Sequence, residues 1–265
     1  MQEHNTLIIP RTIYMTWKTL NLPKFMNETI NKLQQINNEF EIKIYDDNMC
    51  REFIKNNFDR DILIAYDNLI PGAYKADLWR LCILYKYGGI YIDIKFEPVN
   101  NFKLINLINR NILTKDLNDS HIYNGFIISE SNNIFLKKCI YKIVYNVNIH
   151  YYGDNYLDIT GPSMIGRLFN NTYNYNLDVH LQVRKKNING LITNHHMICY
   201  NDTIILQEYE LYRHEQDYIN IHYSIAWKNR QVFIKKEIID STNNNSTNNK
   251  MSKSRIIKKF IHIKQ

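Results

Sequence analysis

Two consecutive glycines, Gly88 and Gly89, interrupt the most strongly patterned part of this 265-residue chain. Apolar residues recur at helical spacing over 73–87, and glycine commonly ends a helix because it adopts the left-handed conformation at little cost. The residues that follow, 90–96, alternate between isoleucine and larger polar or charged residues, which predicts a strand that buries one face and presents the other. The segment 75–95 therefore predicts a helix joined by a tight turn to a strand.

The rest of the chain alternates between strand and helix patterns in the same way. The patterns of 100–125 and 171–200 predict no clear element, except for a short strand that begins at residue 124. The strand patterns lie at 7–17, 40–45, 90–96, 124–129 and 204–206, and the helix patterns at 25–37, 48–57, 73–87, 133–147 and 162–169. This order of elements favours an α/β layer fold.

Charge and composition divide the chain into two parts. The formal net charge is +7, but six lysine and arginine residues and no acid lie within 250–265, so the remainder is close to neutral. The preceding stretch, 241–249, is rich in asparagine and is typical of a linker. We therefore expect one folded domain over 1–240 and a flexible basic tail over 241–265. Specific nucleic-acid binding is not expected, and the tail predicts at most a weak contact with anionic membranes.

The patterns of cysteine, histidine and apolar residues bear on metal sites and disulfides, and on the cellular compartment of the protein. None of the four cysteines forms a CxxC pair, so we expect reduced thiols. The adjacent histidines at 195–196 point to opposite faces of a strand and predict no metal site. No signal peptide is recognisable, and no run approaches the ~18 apolar residues of a membrane helix. A soluble, cytoplasmic protein is expected, in the host cytoplasm if the chain is viral.

The helix and strand around the glycine pair carry charged residues that are expected to converge. Asp77 and Arg80 are three residues apart and share a helix face, and the tight turn brings that face near Asp93 and Lys95. Carboxylates bind sugar hydroxyls or a metal ion, while arginine and lysine neutralise a diphosphate. A glycosyl donor requires both, because its leaving nucleoside diphosphate gains negative charge as the glycosidic bond breaks. On spacing alone, a surface salt bridge is an equally good interpretation.

This segment resembles the DXD-type sugar-binding region of glycosyltransferase family 32, which has many viral members. The abundant asparagine and isoleucine are typical of AT-rich genomes such as those of giant viruses. The resemblance implies a GT-A-like fold with a mixed central sheet flanked by helices, a UDP- or GDP-sugar donor, Mn²⁺ or Mg²⁺, and transfer that usually retains the anomeric configuration. It spans about residues 8–230 and is carried by KADLWR at 75–80, ILYKYGGIYIDIK at 83–95, IPRTIYMTWK at 9–18, TGP at 160–162 and HYSIAW at 222–227.

The resemblance assigns donor-binding roles residue by residue. Trp17 matches a tryptophan that stacks on the base of the donor, and a core tryptophan at a strand end is the equally weighted alternative. Asp77 and Arg80 match the pair that holds the donor sugar and phosphates, while Tyr91 matches an aromatic residue beside the donor. Asp93 matches the first aspartate of the DXD motif and is the predicted catalytic residue.

Lys95 departs from the family pattern, because a second, metal-binding aspartate is expected at its position. The lysine can itself neutralise the diphosphate, so we count it among the donor-binding residues, and Glu97 on the same predicted strand face offers a carboxylate. Asp93 and His222 are the predicted metal ligands for Mn²⁺ or Mg²⁺, whose use the lysine calls into question. A hydrogen-bonded structural histidine is the alternative for His222.

These residues together predict a glycosyltransferase. It would move a hexose or N-acetylhexosamine from a UDP- or GDP-sugar to a glycan or protein acceptor. The alternative is a non-catalytic GT-A domain that binds a nucleotide sugar or a glycan, and the departure at Lys95 motivates it. The donor sugar, its base and the linkage depend on segments without a readable pattern.

Overall fold

A computed structural model describes residues 9–170, 177–188, 191–215 and 222–234. The predicted linker and basic tail, 241–265, lie outside the described residues. The predicted division of the chain at residue 240 therefore stays a prediction.

Strands and helices alternate along the described chain. The strands are β1 (Thr12–Thr16), β2 (Glu41–Tyr45), β3 (Gly89–Ile92), β4 (Phe96–Pro98), β5 (Ile112–Lys115), β6 (Ile122–Ser129), β7 (Val179–Ile188), β8 (Leu191–Tyr200) and β9 (Thr203–Glu208). The helices are α1 (Lys24–Ile36), α2 (Asp47–Asn57), α3 (Arg60–Asn68), α4 (Gly72–Tyr87), α5 (Ile134–Asn148), α6 (Pro162–Asn170), α7 (Tyr212–Glu215) and α8 (Tyr223–Lys228), with a 3-10 helix at Leu104–Leu107.

The strands form one mixed sheet in the order β2-β1-β3-β6-β5-β7-β8-β9-β4. β1 pairs in parallel with β2 and β3, whereas β3 pairs antiparallel with β6. One hydrophobic core joins the sheet to helices α2 to α6, and a second core packs the opposite face of the sheet against α1. The predicted α/β fold, a mixed central sheet flanked by helices, is confirmed.

Helix α4 lies in the middle of the first core. All of its residues from 77 to 84 are buried, because the sheet, α2, α3 and α5 surround it. It ends at Gly88, whose φ of 69° and close contact with the backbone of Ser131 leave no room for a side chain. The prediction of a helix at 73–87 that is ended by a glycine is confirmed.

The predicted strand at 90–96 is wrong in two respects. β3 ends at Ile92, a turn follows, and the chain resumes as β4 at Phe96. Every residue of β3 is buried, because isoleucines fill one core while Tyr91 fills the other. The sequence alternates as predicted, but an inner strand of a sheet whose two faces are both covered is buried on both faces. Tyr91 therefore does not lie on a solvent face.

Segments without a clear sequence pattern contain much of the sheet. The segment 100–125 contains β5, the 3-10 helix and the start of β6, and the segment 171–200 contains β7 and β8. β7 and β8 form a hairpin of ten-residue strands whose residues are mostly polar or charged at its outer end. Such strands lack the apolar alternation on which a sequence prediction depends. Helix α3 was also not predicted.

All four cysteines are buried free thiols. Within the described residues, no helix is long and apolar enough to cross a membrane.

The sheet curls so that its far edge returns to the end of β3. Only three residues separate β3 from β4, yet β4 pairs with β9 at the other end of the strand order. Phe96 lies opposite Glu208 in this pairing, and the Tyr209 N–H donates to the Lys95 carbonyl at 3.0 Å. We call this junction, residues 93–96 against 208–209, the seam.

Candidate active site

A buried guanidinium organises the predicted donor site. Arg80 on α4 donates from Nη1 to the Asn124 carbonyl at 2.7 Å. The same nitrogen lies 3.4 Å from Asp93 Oδ1, and Nη2 lies 3.4 Å from Asp77 Oδ1. The guanidinium also lies over the Tyr91 ring, 4.4 Å from its centroid. The structure thus brings four predicted donor-site residues together.

Asp77 is held mainly by neutral donors. Its Oδ1 accepts from Asn124 Nδ2 at 2.8 Å, and its Oδ2 accepts from Thr160 Oγ1 at 2.7 Å. Burial raises the pKa of this carboxyl above its usual value, although Arg80 and both hydrogen bonds oppose that rise. Asp77 therefore links α4 to β6 and to the turn before α6 through hydrogen bonds, and these bonds stabilise the fold.

Asp93 lies in the turn after β3, with its side chain 22% exposed. Its Oδ1 accepts from the Tyr91 hydroxyl at 3.0 Å, and its Oδ2 accepts from the Tyr123 hydroxyl at 3.1 Å. Its backbone N–H donates to the Gly125 carbonyl at 2.8 Å. Burial alone would raise the pKa of Asp93, but Arg80, a neighbouring lysine and the two phenols hold it below the usual value. The carboxylate is therefore ionised and reaches solvent.

Lys95 supplies that neighbouring cation. Its Nζ lies 3.5 Å from Asp93 Oδ2 and lies over the rings of Phe96 and Tyr123, at 5.3 and 5.7 Å from their centroids. The hydrogen bond from Tyr209 fixes its backbone at the seam. Arg80, Tyr91, Asp93, Lys95 and Tyr123 form what we call the Asp93 centre.

A second buried carboxylate lies across the seam. Glu208 accepts hydrogen bonds from Arg213 Nε at 2.8 Å, and its Oε2 lies 2.9 Å from His196 Nδ1. Burial opposes ionisation, but His196, Lys95 and Arg213 lower the pKa of Glu208 to about 2. The Glu208 side chain is 1% exposed. We call Glu208, His196 and Arg213 the Glu208 centre; none of the three was among the predicted site residues.

Trp17 lies just beyond β1, whose carboxyl end is next to that of β3. Its ring contacts Tyr212 rather than the Asp93 centre. It lines a cavity of about 370 Å³ together with Lys18, Thr19, Asn21, Leu22, Pro23 and Glu215. Its indole Nε1 is buried and has no hydrogen-bond partner in the described part of the chain. An unpaired buried donor is costly, so a ligand atom that accepts from it would be favoured there.

Glu215 forms one wall of this cavity and also caps a helix. Its carboxylate accepts from the backbone N–H groups of Phe25 and Met26 at 2.8 and 3.0 Å, at the start of α1. It also accepts from the Tyr209 hydroxyl at 2.7 Å. The cavity is therefore built on a fixed helix end.

His222 and Glu97 lie outside the Asp93 centre. His222 is the N-cap of α8, where its Nδ1 lies 2.7 Å from Ser224 Oγ and accepts from the Ser224 N–H. Burial lowers the pKa of His222, which keeps the imidazole neutral. Glu97 bonds with Lys32 and Gln207 instead of facing Asp93, because the strand is broken between them. The expectation that Glu97 shares a face with Asp93 is therefore wrong.

The groups around Asp93 do not fit a divalent cation. Mn²⁺ or Mg²⁺ takes oxygen ligands and prefers several of them. Asp93 is the sole carboxylate of its centre, and both of its oxygens already face a phenol and a cation. Among the described residues, no three His, Cys, Asp or Glu side chains are grouped closely enough to hold a metal ion. The predicted metal roles of Asp93 and His222 stay predictions.

Four residues that complete the site were not predicted. Tyr123 and Asn124 lie on β6 and Thr160 precedes α6, far in sequence from α4 and β3. Gly125, the next residue of β6, completes the set, because a Cβ at this position would overlap the Tyr123 hydroxyl and Asp93 Oδ2. The TGP pattern at 160–162 was the one available signal, and it came from the resemblance.

The fold and the site together define the class of protein. It is an α/β protein with an ionised carboxylate at the carboxyl end of a central strand, which is where α/β sheets bind ligands. A family model, the glycosyltransferase sugar-binding region containing the DXD motif, matches residues 23–116. The resemblance to this glycosyltransferase family is confirmed over that region, which contains Asp77, Arg80, Tyr91, Asp93 and Lys95.

Three curated relatives each match about a third of the chain. Inositol phosphoceramide mannosyltransferase 3 of Schizosaccharomyces pombe is 35% identical over 92 residues, which is 35% of this chain and 26% of that protein. An uncharacterized glycosyltransferase of Acanthamoeba polyphaga mimivirus is 34% identical over 89 residues, 33% of this chain and 36% of that protein. The mouse lactosylceramide 4-alpha-galactosyltransferase is 33% identical over 95 residues, 36% of this chain and 23% of that protein. The matched segments thus span about a quarter to a third of these relatives.

Among solved structures, the PaToxG glycosyltransferase is similar to this chain. The two superpose with a TM-score of 0.47 and 17% identity, over 61% of this chain and 69% of the other.

Proposed function

We propose that this chain transfers a hexose or N-acetylhexosamine from a UDP- or GDP-sugar to an acceptor hydroxyl, with retention of the anomeric configuration. One observation carries the proposal: the ionised, solvent-reaching carboxylate of Asp93 at the end of β3, with Lys95 beside it. The match over 23–116 supports it, because this region is the sugar-binding region of known glycosyltransferases.

Each residue of the Asp93 centre has a part in the proposed reaction. Asp93 accepts hydrogen bonds from the donor sugar, and Arg80 with the two phenols keeps its carboxylate charged and oriented. Lys95 offsets the negative charge that the diphosphate gains as the glycosidic bond breaks. Trp17 and its cavity, at the adjacent strand end, are the proposed place for the base.

The acceptor proton needs no dedicated base in a retaining transfer. The departing phosphate oxygen can take it as the new glycosidic bond forms, so the protein's task is to position both substrates.

The acceptor is proposed to be a glycan or a protein. The sequence features favour these two classes, and two similar proteins carry ceramide-linked acceptors in their names. Glycan, glycoprotein and glycolipid acceptors should therefore be tested side by side.

A donor screen tests the proposal. The purified chain is incubated with UDP-glucose, UDP-galactose, UDP-N-acetylglucosamine and GDP-mannose, with each acceptor class, and release of UDP or GDP is measured. We expect turnover with at least one donor, and Asp93→Ala and Asp93→Asn to lower it about 10³-fold, or about 4 kcal/mol in the barrier. The asparagine variant keeps the side-chain volume, so it guards against a folding defect.

Asp119→Ala is the matched control, because Asp119 is an exposed carboxylate that pairs with Lys115. It should leave turnover unchanged. The proposal fails if no donor is bound or cleaved, or if the Asp93 variants turn over as fast as the unchanged chain.

A second candidate function is favoured by Lys95, which stands where the family has an aspartate. A non-catalytic domain would bind a nucleotide sugar and release neither sugar nor nucleoside diphosphate. Donor binding by calorimetry, without turnover on any acceptor, would favour this function over transfer.

A further inference from the structure

We propose that the Lys95 ammonium replaces a divalent cation in this site, so that the donor diphosphate binds without metal. This inference rests on the proposed function, since it names what the donor site uses to hold the diphosphate. It concerns one position of the motif, where lysine stands in place of an aspartate.

The two positive charges already present at Asp93 oppose the binding of a divalent cation. A divalent ion would have to lie about 2.0–2.6 Å from an Asp93 oxygen. The Arg80 guanidinium lies 3.4 Å from Oδ1 and the Lys95 ammonium 3.5 Å from Oδ2, so either position would place the ion against a fixed positive charge. Like charges at such distances in a partly buried site repel strongly.

Nearby carboxylates do not relieve this repulsion. Both oxygens of Asp77 are engaged by Asn124, Thr160 and Arg80. The Glu208 carboxylate is buried and is already bonded to Arg213 and His196. Within the described chain, neither carboxylate is left to join Asp93 as a metal ligand.

Lys95 is placed to meet a phosphate, whereas Arg80 is not. Arg80 is buried and donates to the Asn124 carbonyl, so its hydrogen bonds are directed into the protein. The Lys95 ammonium lies 3.5 Å from Asp93, beyond a good hydrogen bond, and its side chain is 15% exposed. Its charge also acts on Glu208 across the seam, but among the described residues Asp93 is the one carboxylate within 4 Å of the ammonium.

The surroundings of Lys95 hold the ammonium in position. The rings of Phe96 and Tyr123 lie beneath it, and the seam fixes its backbone through the hydrogen bond from Tyr209. An ammonium held in this way is a point charge suited to phosphate oxygens. The ammonium would supply the positive charge that a metal ion supplies in a metal-dependent site, and a chelator could not remove it.

Calorimetric titration in EDTA tests this inference. The probes are UDP and GDP, with UMP and GMP as matched ligands that lack the second phosphate. We expect the unchanged chain to bind one diphosphate in EDTA, and added Mn²⁺ or Mg²⁺ to change its Kd by less than about threefold. Lys95→Ala should weaken diphosphate binding at least ~10-fold, with a smaller effect on the monophosphate. Lys95→Arg should largely retain binding.

Lys95→Asp provides the sharpest comparison, because it restores the expected motif. This variant should lose diphosphate binding in EDTA and regain part of it when Mn²⁺ is added. Lys103→Ala, at a half-exposed lysine that pairs with Glu39, is the control and should bind like the unchanged chain. The thermal midpoint of each variant checks that it is folded.

Two failures are distinguishable. If the unchanged chain binds the diphosphate only when Mn²⁺ or Mg²⁺ is present, or if Lys95→Ala binds it normally in EDTA, the inference is overturned while the proposed function stands. If neither UDP nor GDP binds with or without metal, the proposed function fails and this inference fails with it.

Discussion

The Asp93 centre and the Glu208 centre are built from the same chemistry on the two sides of the seam. Each holds one ionised carboxylate between cations and hydrogen-bond donors, and in each the pKa of the carboxyl is lowered. They differ in access, because the Asp93 side chain is 22% exposed and that of Glu208 is 1% exposed. The same arrangement therefore stabilises the fold where it is sealed and is available for a ligand where it is open.

The largest effect that separates the two centres is expected from Glu208→Gln. The lowered pKa of Glu208 contributes stability that is fully present above its unfolded value of 4.5 and is lost as the pH falls toward about 2. At pH 7 the substitution should cost about 3 kcal/mol of unfolding free energy. The cost should shrink as the pH is lowered, which urea unfolding between pH 7 and 3 would measure.

Glu52→Gln is the control for this experiment, because Glu52 is an exposed carboxylate that pairs with Lys55. The Glu52→Gln substitution should lower the free energy of unfolding only slightly at every pH. A constant difference between the Glu208 variant and the unchanged chain across this range would contradict the assigned role of the Glu208 carboxylate.

Gly125→Ala should affect the Asp93 centre and leave the Glu208 centre intact. The new Cβ would overlap the Tyr123 hydroxyl and Asp93 Oδ2, so both groups must shift. We expect kcat/KM to fall about 10- to 100-fold, roughly 1.4–2.7 kcal/mol, because small misplacements of positioned groups are costly. Gly72→Ala is the matched control, since no atom lies within 4 Å of its added Cβ. Equal activity of the two variants would refute this account.

Tyr123→Phe should have the smallest effect, because it removes one of two phenol hydrogen bonds to Asp93. We expect kcat/KM to fall about fivefold, or about 1 kcal/mol, and the acidic limb of its pH profile to move to higher pH as the pKa of Asp93 rises. Tyr74→Phe loses a hydrogen bond to the Tyr156 carbonyl, outside the Asp93 centre, and should not shift the profile. A profile that stays in place in Tyr123→Phe would show that the phenol does not act on the carboxylate.

Much of the fold is encoded locally and could be predicted. The helix that ends at Gly88 follows from apolar spacing and a glycine, and the Asp46 side chain caps α2 by accepting from the nearby Met49 N–H. The hairpin of β7 and β8 could not be predicted, because its polar outer end gives no alternation. The break after Ile92 also has no local signal, since 90–96 alternates throughout. It arises because β4 pairs with β9 rather than continuing beside β6.

The residues of the site also divide into those that the sequence could place and those that it could not. Asp77, Arg80, Asp93 and Lys95 lie on adjoining local elements, so sequence spacing placed them together correctly. Tyr123, Asn124, Thr160 and Glu208 reach the site through sheet pairing and packing, which spacing does not report. Trp17 and His222 were matched by resemblance, and the structure places them outside the hydrogen-bonded centre around Asp93.

The seam has a consequence for the order in which the site can be assembled. Asp77 to Lys95 leave the ribosome more than a hundred residues before Glu208 and Tyr209, which fix the backbone of Lys95 and pair with β4. Contacts between such distant parts of a chain form late, because the loop between them must first be closed. A nascent chain can therefore contain the whole motif and still lack its geometry. Recognition of a diphosphate would accordingly report completed folding rather than the presence of the motif.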